Sequence, residues 1–253
     1  MSAGISLDGL AKSFGSLAVV QPLSLQIVPG SFVSIVGPTG CGKSTLLRLI
    51  AGLEPATEGS VAIDGAAPAT ARRAKRVAIV PQQPGLLPWR TVAHNADLLL
   101  AINSRATPAA HPDPRELLAE VGLDEFVDAF PHELSGGMQQ RVALVRAFAL
   151  GAPVVLMDEP FAALDEITRA EMRSLLARLL DRHPATVVFV THSIGEAVFL
   201  SDRVLVCSRR PAHIVADVPI PIPRPRREGI EDSDEYAALC VALRHHLREA
   251  MQR

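Results

Sequence analysis

Apolar and polar positions alternate through residues 4–37, GISLDGLAKSFGSLAVVQPLSLQIVPGSFVSIVG, where β-branched side chains are frequent and Asp8-Gly9, Phe14-Gly15 and Pro29-Gly30 punctuate the run. A period of two between such breaks predicts three or four short strands. TEGSVAIDG (57–65) predicts another strand, and KRVAIVPQ (75–82) a buried strand ending at a proline. The pattern changes over 92–150. Leu98, Leu99, Leu100 and Ile102, then Leu117, Leu118 and Val121, then Val142 to Leu150 predict helices separated by proline-rich loops such as TPAAHPDP (107–114). Apolar strand runs return at PVVLMDEP (153–160), ATVVFVTH (185–192) and DRVLVCS (202–208). Between the first two, Ile167 to Leu180 predicts a helix with Leu175, Leu176, Leu179 and Leu180 on its apolar face. Strands alternating with helices imply a mostly parallel sheet, so the fold class is α/β. PIPIPRPRR (219–227) predicts a stiff polyproline-like stretch, and Ser233 to Arg253 one amphipathic helix.

Composition narrows the possible work. The 253 residues are 48% hydrophobic and 21% charged, with a net charge of −2, so the chain presents no strong field for nucleic acid. Aromatic residues, at 4%, are too scarce for base stacking to be the main task. Cys41, Cys207 and Cys240 have neither disulfide nor zinc spacing, which fits a reducing cytoplasm. Met1 to Leu10 lacks the basic-then-apolar order of a signal peptide, and no apolar run reaches the ~18 residues of a membrane span.

Two stretches carry phosphate chemistry. SIVGPTGCGKST (34–45) fits G-x-x-x-x-G-K-[ST], with an apolar strand before it and an apolar helix, Thr45 to Ala51, after it. Glycine at 37, 40 and 42 lets backbone N–H groups turn inward, and the helix aims its positive end at the same anion. Gly37, Pro38, Thr39, Gly40, Cys41, Gly42, Lys43, Ser44 and Thr45 are therefore the expected nucleotide contacts, Lys43 reaching the β and γ phosphates and Ser44 offering its hydroxyl to Mg²⁺. Asp158, at the end of PVVLMDEP, is the second expected Mg²⁺ ligand. Glu159 follows it and can accept a proton from an attacking water. A helix N-terminus lowers a thiol's pKa, so Cys41 is either a target whose alkylation blocks activity and which ATP protects, or simply a small residue tolerated in the loop.

LSGGMQQR (134–141) raises a separate question. Its glycines make a poor helix start, yet a buried helix pattern follows, and the motif offers a second phosphate cradle. Together with GPTGCGKST and LMDEP, LSGGMQQR resembles the signature motif of ATP-binding-cassette ATPases, over roughly residues 4–210. In that family two subunits pack head to tail, and each signature closes on the γ-phosphate held by the other. The resemblance thus implies ATP and Mg²⁺ as cofactors, a second copy of the chain as partner, and Ser135, Gly136 and Gly137 as contacts for the partner's nucleotide. It also implies Phe14 stacking on adenine, Gln82 (with Gln83 as the competing choice) touching Mg²⁺ and water, Asp165 communicating across the dimer, and His192 contacting the γ-phosphate. Ser193 stands where the family often has an acidic residue. The fold so implied is a P-loop NTPase core with an antiparallel N-terminal β-subdomain and an inserted helical subdomain. Residues 1–218 form the ATPase domain, approximately 92–150 the helical subdomain, and 219–253 a linker and helix.

The partner of such a motor is indicated by PGLLPWRTVAHNADL (84–98). Leu86, Leu87 and Trp89 either fill the helical subdomain's core or anchor a partner. LLPWRTV and EAVFLSDRVLVCSRRP resemble the nitrate, sulfonate and taurine importer branch. That likeness implies a membrane permease, a periplasmic solute-binding protein, and a place on the cytoplasmic face of the membrane. The competing readings are a nucleic-acid clamp and a module that holds ATP without turnover. The first lacks a coiled-coil insertion or basic patches; the second is disfavoured by Glu159 and His192 both being present.

Overall fold

The computed structural model describes residues 2–108, 110–226 and 229–252. Strands β1 (Ile5–Phe14), β2 (Leu17–Ile27), β3 (Phe32–Val36), β4 (Glu58–Ile63), β5 (Val77–Val80), β6 (Val154–Asp158), β7 (Thr186–Thr191), β8 (Arg203–Cys207) and β9 (Ile214–Pro219) form two sheets. One is antiparallel, in the order β2-β1-β4; the other has six strands, in the order β5-β6-β7-β3-β8-β9, and is parallel except for β9. The helices are α1 (Lys43–Ile50), α2 (Pro68–Arg73), α3 (Val92–Ala96), α4 (Leu98–Ala101), α5 (Pro114–Glu120), α6 (Gly136–Phe148), α7 (Glu166–Arg182), α8 (Ile194–Leu200) and α9 (Asp234–Gln252).

The continuous apolar runs reflect a sheet buried on both faces. Phe32 and Val36, Val155 and Met157, Val187 and Phe189, and Val204 and Val206 enter one core with α6 to α9. Their alternates Val33 and Ile35, Val154 and Leu156, Val188 and Val190, and Leu205 and Cys207 enter the other, with α1 and the antiparallel sheet. A period of two thus persists inside each uniformly apolar run. Tilted rings at Phe32, Phe189 and Phe161, with centroids 5.6 and 5.8 Å apart, tie three elements of the first core together.

Several expectations change. Residues 4–37 hold three strands, and Asp8-Gly9 is a bulge inside β1, where pairing with β2 and β4 shifts, not a turn. Strand β9 was not expected; it pairs antiparallel with β8. The Leu98–Ile102 run gives only the short α4 before Asn103 adopts a left-handed φ of 50°. Helix α6 begins at Gly136 despite both glycines, because Ser135 caps it with Oγ accepting from the Met138 N–H at 3.3 Å.

Residues 220–226 lie against the body of the protein rather than forming a free stiff rod. Ile220 and Ile222 are buried in the α6–α9 core. Arg224 grips Asp202 with Nε–Oδ1 at 2.6 Å and Nη2–Oδ2 at 2.8 Å. Arg226 donates to the carbonyls of Val198 and Phe199 in the last turn of α8, and burial lowers its pKa to about 10.

Gly59 is held by close packing. Its φ is 73°, and a Cβ there would lie 2.3 Å from the Gly9 carbonyl oxygen and 2.4 Å from that of Asp8. Gly65, with φ 74°, has nothing within 4 Å of the same point. Gly59→Ala is therefore expected to lower the melting temperature by roughly 6–12 °C and Gly65→Ala by roughly 2–4 °C, at ~2–4 °C per kcal/mol for a chain of this size. Equal shifts in a thermal melt would show that the bulge contact carries no energy.

Candidate nucleotide site

The carboxyl ends of four adjacent strands assemble the polar groups, where open parallel sheets bind ligands. Strand β3 leads into the loop at 37–42 and then α1. Gly40 and Gly42 have φ of 74° and 123°, and a Cβ on Gly42 would lie 3.0 Å from the Val19 carbonyl oxygen. Helix α1 has no side-chain cap and no acidic residue in its first turn, so its leading N–H groups face the loop. Lys43, 4% exposed, donates to the carbonyls of Gly37 and Pro38, both at 2.9 Å, and its Nζ lies 3.8 Å from Glu159 Oε1. Arg210, from the β8–β9 connection, donates to the Gly40 carbonyl at 2.7 Å from outside.

Strand β6 supplies the acids. Ser44 Oγ donates to Asp158 Oδ1 at 2.8 Å. Burial raises the Asp158 pKa, against the Ser44 bond and the charges of Arg48 and Lys43. A half-buried carboxylate beside a hydroxyl is an all-oxygen donor pair suited to a hard divalent cation. Gln82 lies just past β5, whose Val80 pairs with Met157 of β6. Gln82 and Gln83 are both exposed on this rim, and neither is hydrogen-bonded to Ser44 or Asp158.

Glu159 holds a left-handed φ of 45°, a conformation costing about 1–3 kcal/mol outside glycine, fixed by its N–H donating to the Val190 carbonyl at 2.9 Å. This turn brings Glu159 Oε2 to 3.3 Å from His192 Nδ1 at the end of β7. Lys43, Glu159 and His192 therefore meet. Behind them Thr191 Oγ1 donates to Glu196, which is 4% exposed and has its pKa raised by burial. Arg169 Nε lies 3.7 Å from Glu196 Oε1, and Nη2 donates to the Leu164 carbonyl at 2.7 Å. A polar chain thus runs from the end of β7 to the residue before Asp165. Ser193 caps α8, accepting from the Glu196 N–H at 3.3 Å.

The LSGGMQQR residues do not join this cluster. Helix α6 packs on α3, α5 and β5, whereas α1 packs on β2, β4, β6 and β7. Ser135 and Gly136 are exposed, and nothing among the described residues lies within 4 Å of a Cβ on Gly136. Gly137 differs: a Cβ there would meet the Thr168 Cγ2 at 2.8 Å. Asp165 is exposed and caps α7, its pKa lowered by hydrogen bonds from the Thr168 hydroxyl and N–H. Phe14, at the tip of the β1–β2 hairpin, is 48% exposed with Lys12 Nζ 4.6 Å from its ring centroid.

The Cys41 thiol is only 2% exposed, wedged beside Gly37, so the expected route to inactivation by alkylation is closed in this conformation. Burial also pushes the neighbouring Cys207 thiol up to about 12. Trp89 is 72% exposed and fills no core. Its loop is set by two groups the motifs did not point to. Buried Asn95 accepts from the Leu87 N–H at 2.7 Å and donates to the carbonyls of Leu87, Arg90 and Thr91. Arg146 of α6 donates to the Gly85 carbonyl at 2.9 Å. A cation inside the apolar run VALVRAFAL was the only sequence signal of that tie.

Glu196 sets a pH dependence. Its folded pKa lies above the unfolded value, so its contribution to stability is fully present in acid and is lost as pH rises through the raised pKa. Glu196→Gln, which can still accept from Thr191, is expected to raise the melting temperature at pH 7, with the gain vanishing in acid where the native carboxyl is protonated. A lower melting temperature at pH 7 would show that the Arg169 charge outweighs the burial.

The ABC transporter family profile matches residues 20–162. Aliphatic sulfonates import ATP-binding protein SsuB 1 of Xanthomonas axonopodis pv. citri is 44% identical over 228 residues, covering 89% of each chain. The protein of the same name from Rhizobium johnstonii is 45% identical over 229 residues, covering 90% of this chain and 81% of the relative. Among solved structures, the dimeric structure of MJ0796, a bacterial ABC transporter cassette, matches with a TM-score of 0.73 at 32% identity, over 85% of this chain and 98% of that one. A dimeric post-hydrolysis state of the same cassette bound to ADP and Pi also gives 0.73, at 33% identity. Likeness along nearly the whole chain, joined to a lysine cradle facing a paired carboxylate and histidine, leads to one conclusion: this chain belongs to the ABC transporter family and is an ATP-binding ATPase of it.

Proposed function

We propose that two copies of this chain pack head to tail, and that each ATP is enclosed between the Lys43 cradle of one copy and the Ser135–Gly136 turn of the other. The observation that carries the reading is that turn: an exposed helix N-terminus with room at Gly136, on elements apart from the chain's own phosphate loop. The dimeric relatives, one holding ADP and Pi, support it.

Within the cradle, Lys43 and the leading N–H groups of α1 face the phosphates, and Phe14 offers its ring to adenine. Ser44 and Asp158 would hold Mg²⁺, with Gln82 reaching in from the rim; when bound, that ion neutralises phosphate charge. Glu159 takes a proton from the attacking water, while His192, 3.3 Å away, fixes the carboxylate and faces the γ-phosphate. Asp165 faces the other copy.

The work goes to a membrane neighbour. No helix among the described residues is long and apolar enough to cross a membrane. The reading assigns the span to a separate permease, which docks on the exposed Trp89 loop at the cytoplasmic face and receives solute from a separate binding protein. The names of the relatives favour a sulfonate-like small anion as cargo.

Glu159→Gln is expected to slow turnover by roughly 10²–10⁴-fold, the usual worth of a general base, while ATP still binds and now holds a stable dimer in sizing chromatography. A variant that binds ATP and stays monomeric would contradict the enclosed-nucleotide reading. Trp89→Ala is expected to cut permease-coupled uptake by about tenfold or more, the loss of an aromatic anchor, with hydrolysis by the isolated chain within about twofold of the parent. Undiminished uptake would remove the docking role of this loop.

A further inference from the structure

The two glycines of LSGGMQQR are glycine for different reasons, and the difference points at a residue outside every motif. Gly136 opens on empty space, as a surface that receives a ligand requires. Gly137 does not: the Thr168 γ-methyl occupies the place a side chain would take, 2.8 Å from the Cβ position. The backbone φ of Gly137 is not in the left-handed region, so alanine would fit there but for that methyl. The other branch of Thr168 is equally committed. Its hydroxyl donates to Asp165 Oδ2 at 2.6 Å, and its N–H donates to Asp165 Oδ1 at 3.0 Å. Both oxygens of an exposed carboxylate are therefore held by one residue. A rotation about χ1 that moved the methyl off Gly137 would also swing the hydroxyl off Asp165, because both groups stand on the same Cβ.

We propose that Thr168 is a positioning residue that locks the first turn of α6 to the Asp165 carboxylate, so that the two exposed elements facing the other copy move as one body. The inference rests on the head-to-tail reading above and adds to it the part that makes each copy's contribution rigid. Neither contact touches the Lys43 cradle, so ATP capture by a separate protomer does not depend on Thr168. Closure of the pair does, because the Ser135–Gly136 turn and Asp165 must arrive together. Preorganising both avoids an ordering cost at the moment of closure.

Three variants separate the two branches of the side chain. Each is made in the full chain carrying Glu159→Gln, and ATP binding to the dilute protomer, ATP-driven dimer formation and melting temperature are measured. Thr168→Val keeps the methyl and removes the hydroxyl; it should weaken dimer formation by about tenfold, the scale of one charged hydrogen bond, with ATP affinity of the protomer unchanged. Gly137→Ala should weaken dimer formation at least as much, through its clash with the methyl. Gly137→Ala with Thr168→Ser removes that methyl while keeping the hydroxyl, and should recover about tenfold or more of what Gly137→Ala lost. A structural role alone would move melting temperature and leave the split between protomer binding and dimer formation untouched. If Thr168→Ser fails to rescue Gly137→Ala, or if Thr168→Val dimerises like the parent, the proposal is overturned. If the parent itself forms no ATP-driven dimer, the head-to-tail reading fails instead, and the two failures are told apart by that single control.

Discussion

Phosphate carries several negative charges, and a protein that encloses it must supply N–H groups and cations on more than one side. In this chain the supply on the first side follows from a sheet buried on both faces. With α6 to α9 covering one face and α1 with the antiparallel sheet covering the other, polar chemistry is pushed to the strand ends, and in this chain it gathers at the carboxyl edge. That edge delivers the loop at 37–42, Asp158 and Glu159, and His192 from β3, β6 and β7, which lie close together in the sheet. Lys43 is nearly buried, its ammonium held by two loop carbonyls with Glu159 next nearest among the described residues.

The second side is where one chain runs out. The Ser135–Gly136 turn is an exposed helix N-terminus, and it stands on a helix that packs away from α1. Two rigid bodies cannot close on one another inside the same chain without breaking the α6 contacts to α3, α5 and β5. A second copy relieves the constraint without new chemistry. Side-chain links join these regions: Arg169 spans Leu164 and Glu196, Arg146 holds the loop before Trp89, and Thr168 joins Asp165 to Gly137. They connect the carboxyl edge of the strands, the Ser135–Gly136 turn and the exposed aromatic loop.

What could be read in the sequence was whatever local chemistry dictates. The strand runs at 32–36, 154–158 and 186–191 are largely apolar because both faces are buried, and the glycines of the loop at 37–42 follow from its curvature. Other features escaped for identifiable reasons. An Asp-Gly pair signals a hairpin turn and a bulge alike, so the break at Asp8-Gly9 was ambiguous. Strand β9, IVADVP, is a half-buried edge whose short apolar stretch is interrupted by Asp217 and ended by Pro219, too short to stand out as a run. The apolar residues at 98–102 suggested a longer helix, but the chain leaves it at the extended Ile102, and Asn103 beyond, of a residue type that stops helices, turns left-handed. The polar ties were invisible for two reasons: Arg146 and Arg169 reach segments far away in the chain, while Asn95 and Glu196 bind near neighbours through loop and strand-end geometry that leaves no periodic pattern. The burial of Cys41 was equally out of reach, because its core neighbours, Cys207 among them, lie far along the chain.

The shared-site claim can be tested by counting nucleotides in mixed pairs. One copy carries Lys43→Ala, its partner carries Gly136→Glu, and both carry Glu159→Gln so that trapped ATP is not hydrolysed. Gly136 has room for the new side chain, so the fold is kept while phosphate is repelled. Neither variant alone should retain ATP in a dimer. In the mixed pair, one intact cradle meets one intact turn, and one retained ATP per dimer is expected. Retention no greater than that of either variant alone would contradict the account, since it would mean that Lys43 and Gly136 serve the nucleotide of their own chain.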